Sequence, residues 1–179
     1  MREIFGILLF TTLLLIPSCY HVTRDNNKVL DKENSDLTDS LVIDKTLVEA
    51  LNISNQNIEK NTFYKEYETE LNDGSSVKIQ IDLDYHFTPQ HSHLIIHRIT
   101  IGDVYIDIYS KDKNKFEKVL SHKEWAITYI NDTIKDVNGD GYKDLVINGY
   151  GSSGCCLKAY SLVYLFRPVI RLFLIVLSS

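Results

Sequence analysis

The sequence predicts a mainly β fold: a small antiparallel sheet or sandwich, or a propeller-like fragment. Three observations carry this. In "VKIQIDLDYHF", Val77, Ile79, Ile81, Leu83, Tyr85 and Phe87 alternate with Lys78, Gln80, Asp82, Asp84 and His86. A period of two places one face of a strand on a core and the other in water. Asn72-Asp73-Gly74 precedes that run and is a hairpin signal. Short apolar runs and polar turns then recur down the chain, the pattern of sandwiches, meanders and propeller blades.

The elements follow in order. Met1-Arg2-Glu3 is a charged start, and Ile4 to Ile16 is apolar apart from Gly6, Thr11 and Thr12. That is the length of a signal-peptide core and too short to span a bilayer as a helix. Residues 1–18 are therefore expected to be a signal peptide, and residues 19–40 a polar tether without apolar periodicity. Residues 41–61 read as a linker or short helix, with Leu41, Thr46, Val48 and Leu51 at rough helical spacing. The β domain is expected over 62–166. Its strands are "FYKEYETEL", the alternating run, "HLIIHRITI", "GDVYIDIYS", "KFEKVL", "WAITYINDTIKDV", "DLVINGY" and "LKAYSLVYLF". The tail at 167–179 is almost wholly apolar after Arg171. It is either a buried final strand or the product of an altered reading frame that truncates the domain and leaves a sheet edge open.

The 179 residues carry a formal charge of −5 and have no Lys/Arg cluster, which argues against nucleic acid as a partner. Three cysteines are present. Cys155 and Cys156 are neighbours, with Cα atoms about 3.8 Å apart across a trans peptide, so a disulfide between them would be strained. They read as a local staple or two separate thiols, or functionally as a redox switch or a stiff binding knob. "GYGSSG" at 149–154 lacks the Lys-Ser/Thr ending of a phosphate loop.

The chemistry concentrates in "KDVNGDGYKD", residues 135–144. Ca²⁺ takes six to eight oxygens, whereas Mg²⁺ seldom uses a dedicated protein cage. Asp136, Asn138 and Asp140 alternate, Gly141 permits a sharp turn, the Tyr142 carbonyl can face inward and Asp144 closes the set. The loop is thus a candidate structural Ca²⁺ site, with a polar Asn-Gly/Asp-Gly turn as the alternative. An EF-hand would need a bidentate Glu where Ile147 stands. His86, His91 and His93 form a second candidate metal set for Zn²⁺ or Cu²⁺. No Ser-His-Asp order, G-x-S-x-G, H-E-x-x-H or Walker loop is present.

Two resemblances add to this. Ile16-Pro17-Ser18-Cys19 resembles the bacterial lipobox, which implies cleavage before Cys19, acylation of its sulfur and anchoring in the cell envelope. That would leave Cys155 and Cys156 as an even pair in an oxidising compartment. "D-x-N-x-D-G-x-x-D-L" between strands resembles the calcium loop of FG-GAP repeats, found in integrin-type propellers and in single copy in bacterial envelope proteins. Lipobox, tether, small β domain and one such loop look like FG-GAP-like lipoproteins, some of which resemble periplasmic lysozyme inhibitors acting as immunity proteins. The resemblance implies a non-enzymatic module facing the periplasm or cell exterior. Its partner would be a protein such as a peptidoglycan hydrolase, gripped through "GYGSSG". The other readings are an enzyme using the His set or the vicinal thiols, and a glycan-binding module drawing on the eleven tyrosines.

Overall fold

A computed structural model of the chain describes residues 41, 43–71, 74–151 and 159–167, and the backbone of 172–178. The mainly β expectation holds. Among the described residues, one helix, α1 over 43–56, precedes nine strands. Strands β1 (Phe63–Glu70), β2 (Ser76–Thr88), β3 (His91–Ile99), β4 (Asp103–Asp112) and β5 (Lys115–Trp125) form a five-stranded sheet in that order. Strands β6 (Tyr129–Lys135), β7 (Asp144–Tyr150), β8 (Ala159–Arg167) and β9 (Leu172–Ser178) form a four-stranded sheet, also in chain order. Every pairing is antiparallel. The two sheets stack as a sandwich, and the tail read as a buried strand or a frameshift product pairs with β8 as an edge strand.

Two cores result, one on each face of the five-stranded sheet. The inner core lies between the sheets, with Ile95, Val104, Ile106 and Ile108 facing Leu145, Ile147, Tyr164 and Phe166. The outer core lies under α1, where Ile43 and Ala50 join Val77, Ile79, Ile81, Leu83, Leu94 and Ile96. The segment expected to be a linker or short helix therefore supplies part of the core. Its weak sequence signal reflects a narrow apolar face that packs on a sheet.

The clean alternation of β2 does not run to its end. A bulge interrupts its pairing with β3 between Asp84 and Thr88. A one-residue slip exchanges the faces of a strand. Leu83 belongs to the outer core and Phe87 to the inner one, while Tyr85 is exposed. Trp125 also differs from expectation: it ends β5 and does not begin β6, because Thr128 closes a turn by donating its amide and its hydroxyl to the Trp125 carbonyl, both at 3.0 Å.

A buried ion pair fastens α1 to the sheet. Arg98 on β3 donates Nη2 to Asp107 Oδ2 at 2.8 Å and Nη1 to the Ile43 carbonyl at 2.7 Å. Lys118 and Ser121 donate to the other Asp107 oxygen at 2.9 and 2.8 Å. Burial pushes the Asp107 carboxyl up, but these hydrogen bonds and the Arg98 charge outweigh it and hold it below its ordinary value.

The candidate calcium loop and the pocket beside it

The 136–144 loop joins β6 to β7, whose last pair before it is Lys135 and Asp144. Gly139 and Gly141 have φ of +77° and +86°. A Cβ at either position would meet nothing within 4 Å, so glycine is required by the backbone and not by crowding. Between them the side chains fold back onto the loop's own amides. Asp136 accepts from Gly139 N at 2.7 Å and Gly141 N at 3.0 Å, one on each oxygen. Asn138 Oδ1 accepts from Asp140 N at 3.0 Å, and Asp140 Oδ1 from Tyr142 N at 2.9 Å. Asn138 Nδ2 donates to Asp140 Oδ2 at 2.9 Å, and Arg167 lies 3.8 Å from that oxygen. The Tyr142 amide first, and the Asn138 side chain second, hold the Asp140 carboxyl below its ordinary value.

The stem of the loop ties three strands together. Asp144 is fully buried. It accepts from Val137 N at 3.0 Å on one oxygen and from Phe166 N of β8 at 2.9 Å on the other. Lys143 N donates to the Phe87 carbonyl at 3.0 Å, crossing to the five-stranded sheet.

The donor types suit a hard cation. Each loop carboxylate oxygen that accepts one N–H keeps a second lone pair, as does Asn138 Oδ1. Among the described residues, no three His, Cys, Asp or Glu side chains are gathered closely enough to hold a metal ion. Asp136, Asp140 and Asp144 are thus placed on one loop without being drawn into one cage.

Of the three candidate histidines, two share a pocket. His91 and His93 line a pocket of about 300 Å³ together with Thr88, Gln90, Ser110, Tyr142 and Phe166. His93 is buried there, its ring edge-on to Phe87 at 5.1 Å and to Phe166 at 5.3 Å. His86 stands apart, with Nε2 3.3 Å from the Asp82 carbonyl and 3.5 Å from its carboxylate. The bulge in β2 falls at His86, between Asp84 and Thr88. Tyr142 links the two predicted constellations: it belongs to the loop and also walls the histidine pocket.

One polar set had no signal in the sequence. His97 on β3 meets Asp132 on β6 at 3.0 Å, and Tyr129 donates its hydroxyl to the same carboxylate. The residues stand 35 positions apart and meet only because the sheets stack. Burial pushes Asp132 up, while His97 and Tyr129 bring it below its ordinary value. Nearby, His122 Nδ1 is 2.8 Å from the Tyr164 hydroxyl. Burial pushes His122 down, against the opposing pull of Glu124 and Asp132.

Cys19, Cys155, Cys156 and residues 152–154 of "GYGSSG" lie outside the described residues. Of that segment, Gly149 and Tyr150 end β7, and Gly149 lies under the ring of its cross-strand partner Tyr160. No protein-family model, curated protein or solved structure matches the chain.

Proposed function

We propose that the protein is a lipid-anchored envelope protein whose β domain is stiffened by Ca²⁺ and binds another protein without catalysing a reaction. The observation that supports this most is the loop. Its two glycines adopt positive φ, its side-chain oxygens turn onto its own backbone, and its stem is tied to β8 and to β2. Asp136, Asn138, Asp140, the Tyr142 carbonyl and Asp144 would hold the ion. Its charge would offset the repulsion of three carboxylates and draw them together, so binding would couple to the stability of both sheets. A peptidoglycan hydrolase is the proposed partner, with 149–154 as the gripping segment.

The test is thermal unfolding with and without Ca²⁺. Ligand that binds only the folded state stabilises by about 2.7 kcal/mol at 100 times its dissociation constant. The melting temperature should rise with Ca²⁺, and Asp140→Ala should abolish the rise. An unchanged wild-type melting temperature removes the calcium claim. Recovery of a hydrolase by pull-down from envelope extract supports the binding role, whereas turnover dependent on Zn²⁺ and lost in His91→Ala favours the enzyme.

A further inference from the structure

The two ends of the sandwich differ in chemistry. The calcium-loop end carries the C-terminus of β2, the N-terminus of β3 and the 136–144 loop, and is polar. Among the described residues, the opposite end carries three exposed apolar side chains. Ile101, in the β3–β4 turn, is 92% exposed; Trp125, ending β5, is 61% exposed; Ile127, in the β5–β6 turn, is 85% exposed. These turns form one surface. Ala126 N donates to the Gly102 carbonyl at 3.0 Å, and Tyr150 N donates to the Thr128 carbonyl at 2.8 Å. Trp125 pairs across the sheet with Asp103. The nearby charges Lys123 and Asp103 neutralise each other at 2.9 Å.

Isolated exposed apolar residues are ordinary, but a cluster of turn tips at one end is not. What covers it follows from where the preceding chain enters the fold. The Ile43 carbonyl is held by Arg98, next to the β3–β4 turn, while the far end of the helical segment is held at Lys60 by Lys111 of β4. The chain from residues 1–40 therefore enters at the apolar end, where Leu41 is itself 62% exposed. From Cys19 to Ser40 it can reach at most about 80 Å. An anchor at Cys19 thus joins the fold at this end, and tethering raises the local concentration of that surface at the lipid.

We propose that Ile101, Trp125 and Ile127 dip into the outer layer of the membrane that holds the chain, as a second, non-covalent contact. The proposal rests on the lipoprotein reading for its choice of membrane. Tryptophan prefers the boundary between acyl chains and headgroups, and the flanking isoleucines reach below it. The contact turns the calcium loop and histidine pocket away from the bilayer and brings Gly149 and Tyr150 toward it, so a partner gripping 149–154 would compete with the membrane for this end. The side chains that make the contact are apolar, so it resists added salt.

Trp125 is the sole tryptophan, so its fluorescence reports this surface alone. The purified full chain is reconstituted into phosphatidylcholine–phosphatidylglycerol vesicles, and acylation is read separately by mass spectrometry. The expected result is a blue-shifted Trp125 emission, protection from aqueous acrylamide and quenching by lipids brominated on their acyl chains, unchanged by added salt. Ile101→Ser with Ile127→Ser should abolish these effects without moving the melting temperature, since both side chains are exposed. Trp125 that remains equally open to acrylamide with and without vesicles overturns the proposal, and leaves the surface to a protein partner. Acylated chain with an aqueous Trp125 leaves the anchor standing and sinks the contact. Unacylated chain with a buried Trp125 sinks the anchor and leaves the contact.

Discussion

Gly141 shows how a single residue is fixed by backbone alone. At φ +86°, with open space where a Cβ would sit, any cost of substitution is conformational. Gly141→Ala should lower stability by about 1–2 kcal/mol. This should appear as a lower urea midpoint at unchanged slope. His122 is fixed by burial. Its folded form is driven toward neutrality, so its pKa lies below the ordinary 6.5. The unfolded chain therefore binds the proton first as pH falls through 6.5, and stability decreases over the window down to the folded pKa. Above that window this contribution is constant. In His122→Gln, a plot of unfolding free energy against pH should be flatter just below 6.5 than in wild type. Both residues are visible as letters, yet only the glycine carries its reason in the local pattern. The histidine's reason is burial against residues such as Tyr164, 42 positions away.

At the scale of elements, α1 was the weakest reading and has a well-defined role. It caps one face of the five-stranded sheet and is pinned through Arg98 and Asp107. Asp107→Ala leaves the Arg98 guanidinium buried without its carboxylate. Removing one partner of a buried pair costs about 3–5 kcal/mol, which chemical denaturation should resolve. The strands were legible because alternation is local. Their exceptions were not. The β2 bulge that sends Phe87 to the inner core, and separates His86 from His91 and His93, depends on how β3 pairs alongside. The loop between β6 and β7 was readable in residue type and in its turn. Its attachments to Phe87 and Phe166 required the neighbouring strands.

For the whole molecule, one carboxylate under α1 and one between the sheets contribute to the acid limit. Asp132 and Asp107 both titrate below their ordinary 3.8 in the folded state. Their contribution is present above that value and is lost as pH falls through the folded pKa, because the unfolded chain then binds more protons. Unfolding free energy should therefore drop steeply below about pH 4. Asp132→Asn should reduce that drop while lowering stability near neutral pH, since His97 and Tyr129 lose the charged carboxylate that joins the sheets.

The sequence by itself determined the class of the fold, most of its strands, the turn glycines, and an oxygen-rich loop between two of the strands. All of these are set by spacing within a few residues. The tertiary structure alone decided that the helix belongs to the core and that two sheets stack through His97 and Asp132. It also divided the histidines, placed Tyr142 between loop and pocket, and gathered Ile101, Trp125 and Ile127 at the end where the preceding chain enters. Those facts depend on pairing register and on which ends meet, and both are fixed by burying surfaces far apart in the chain.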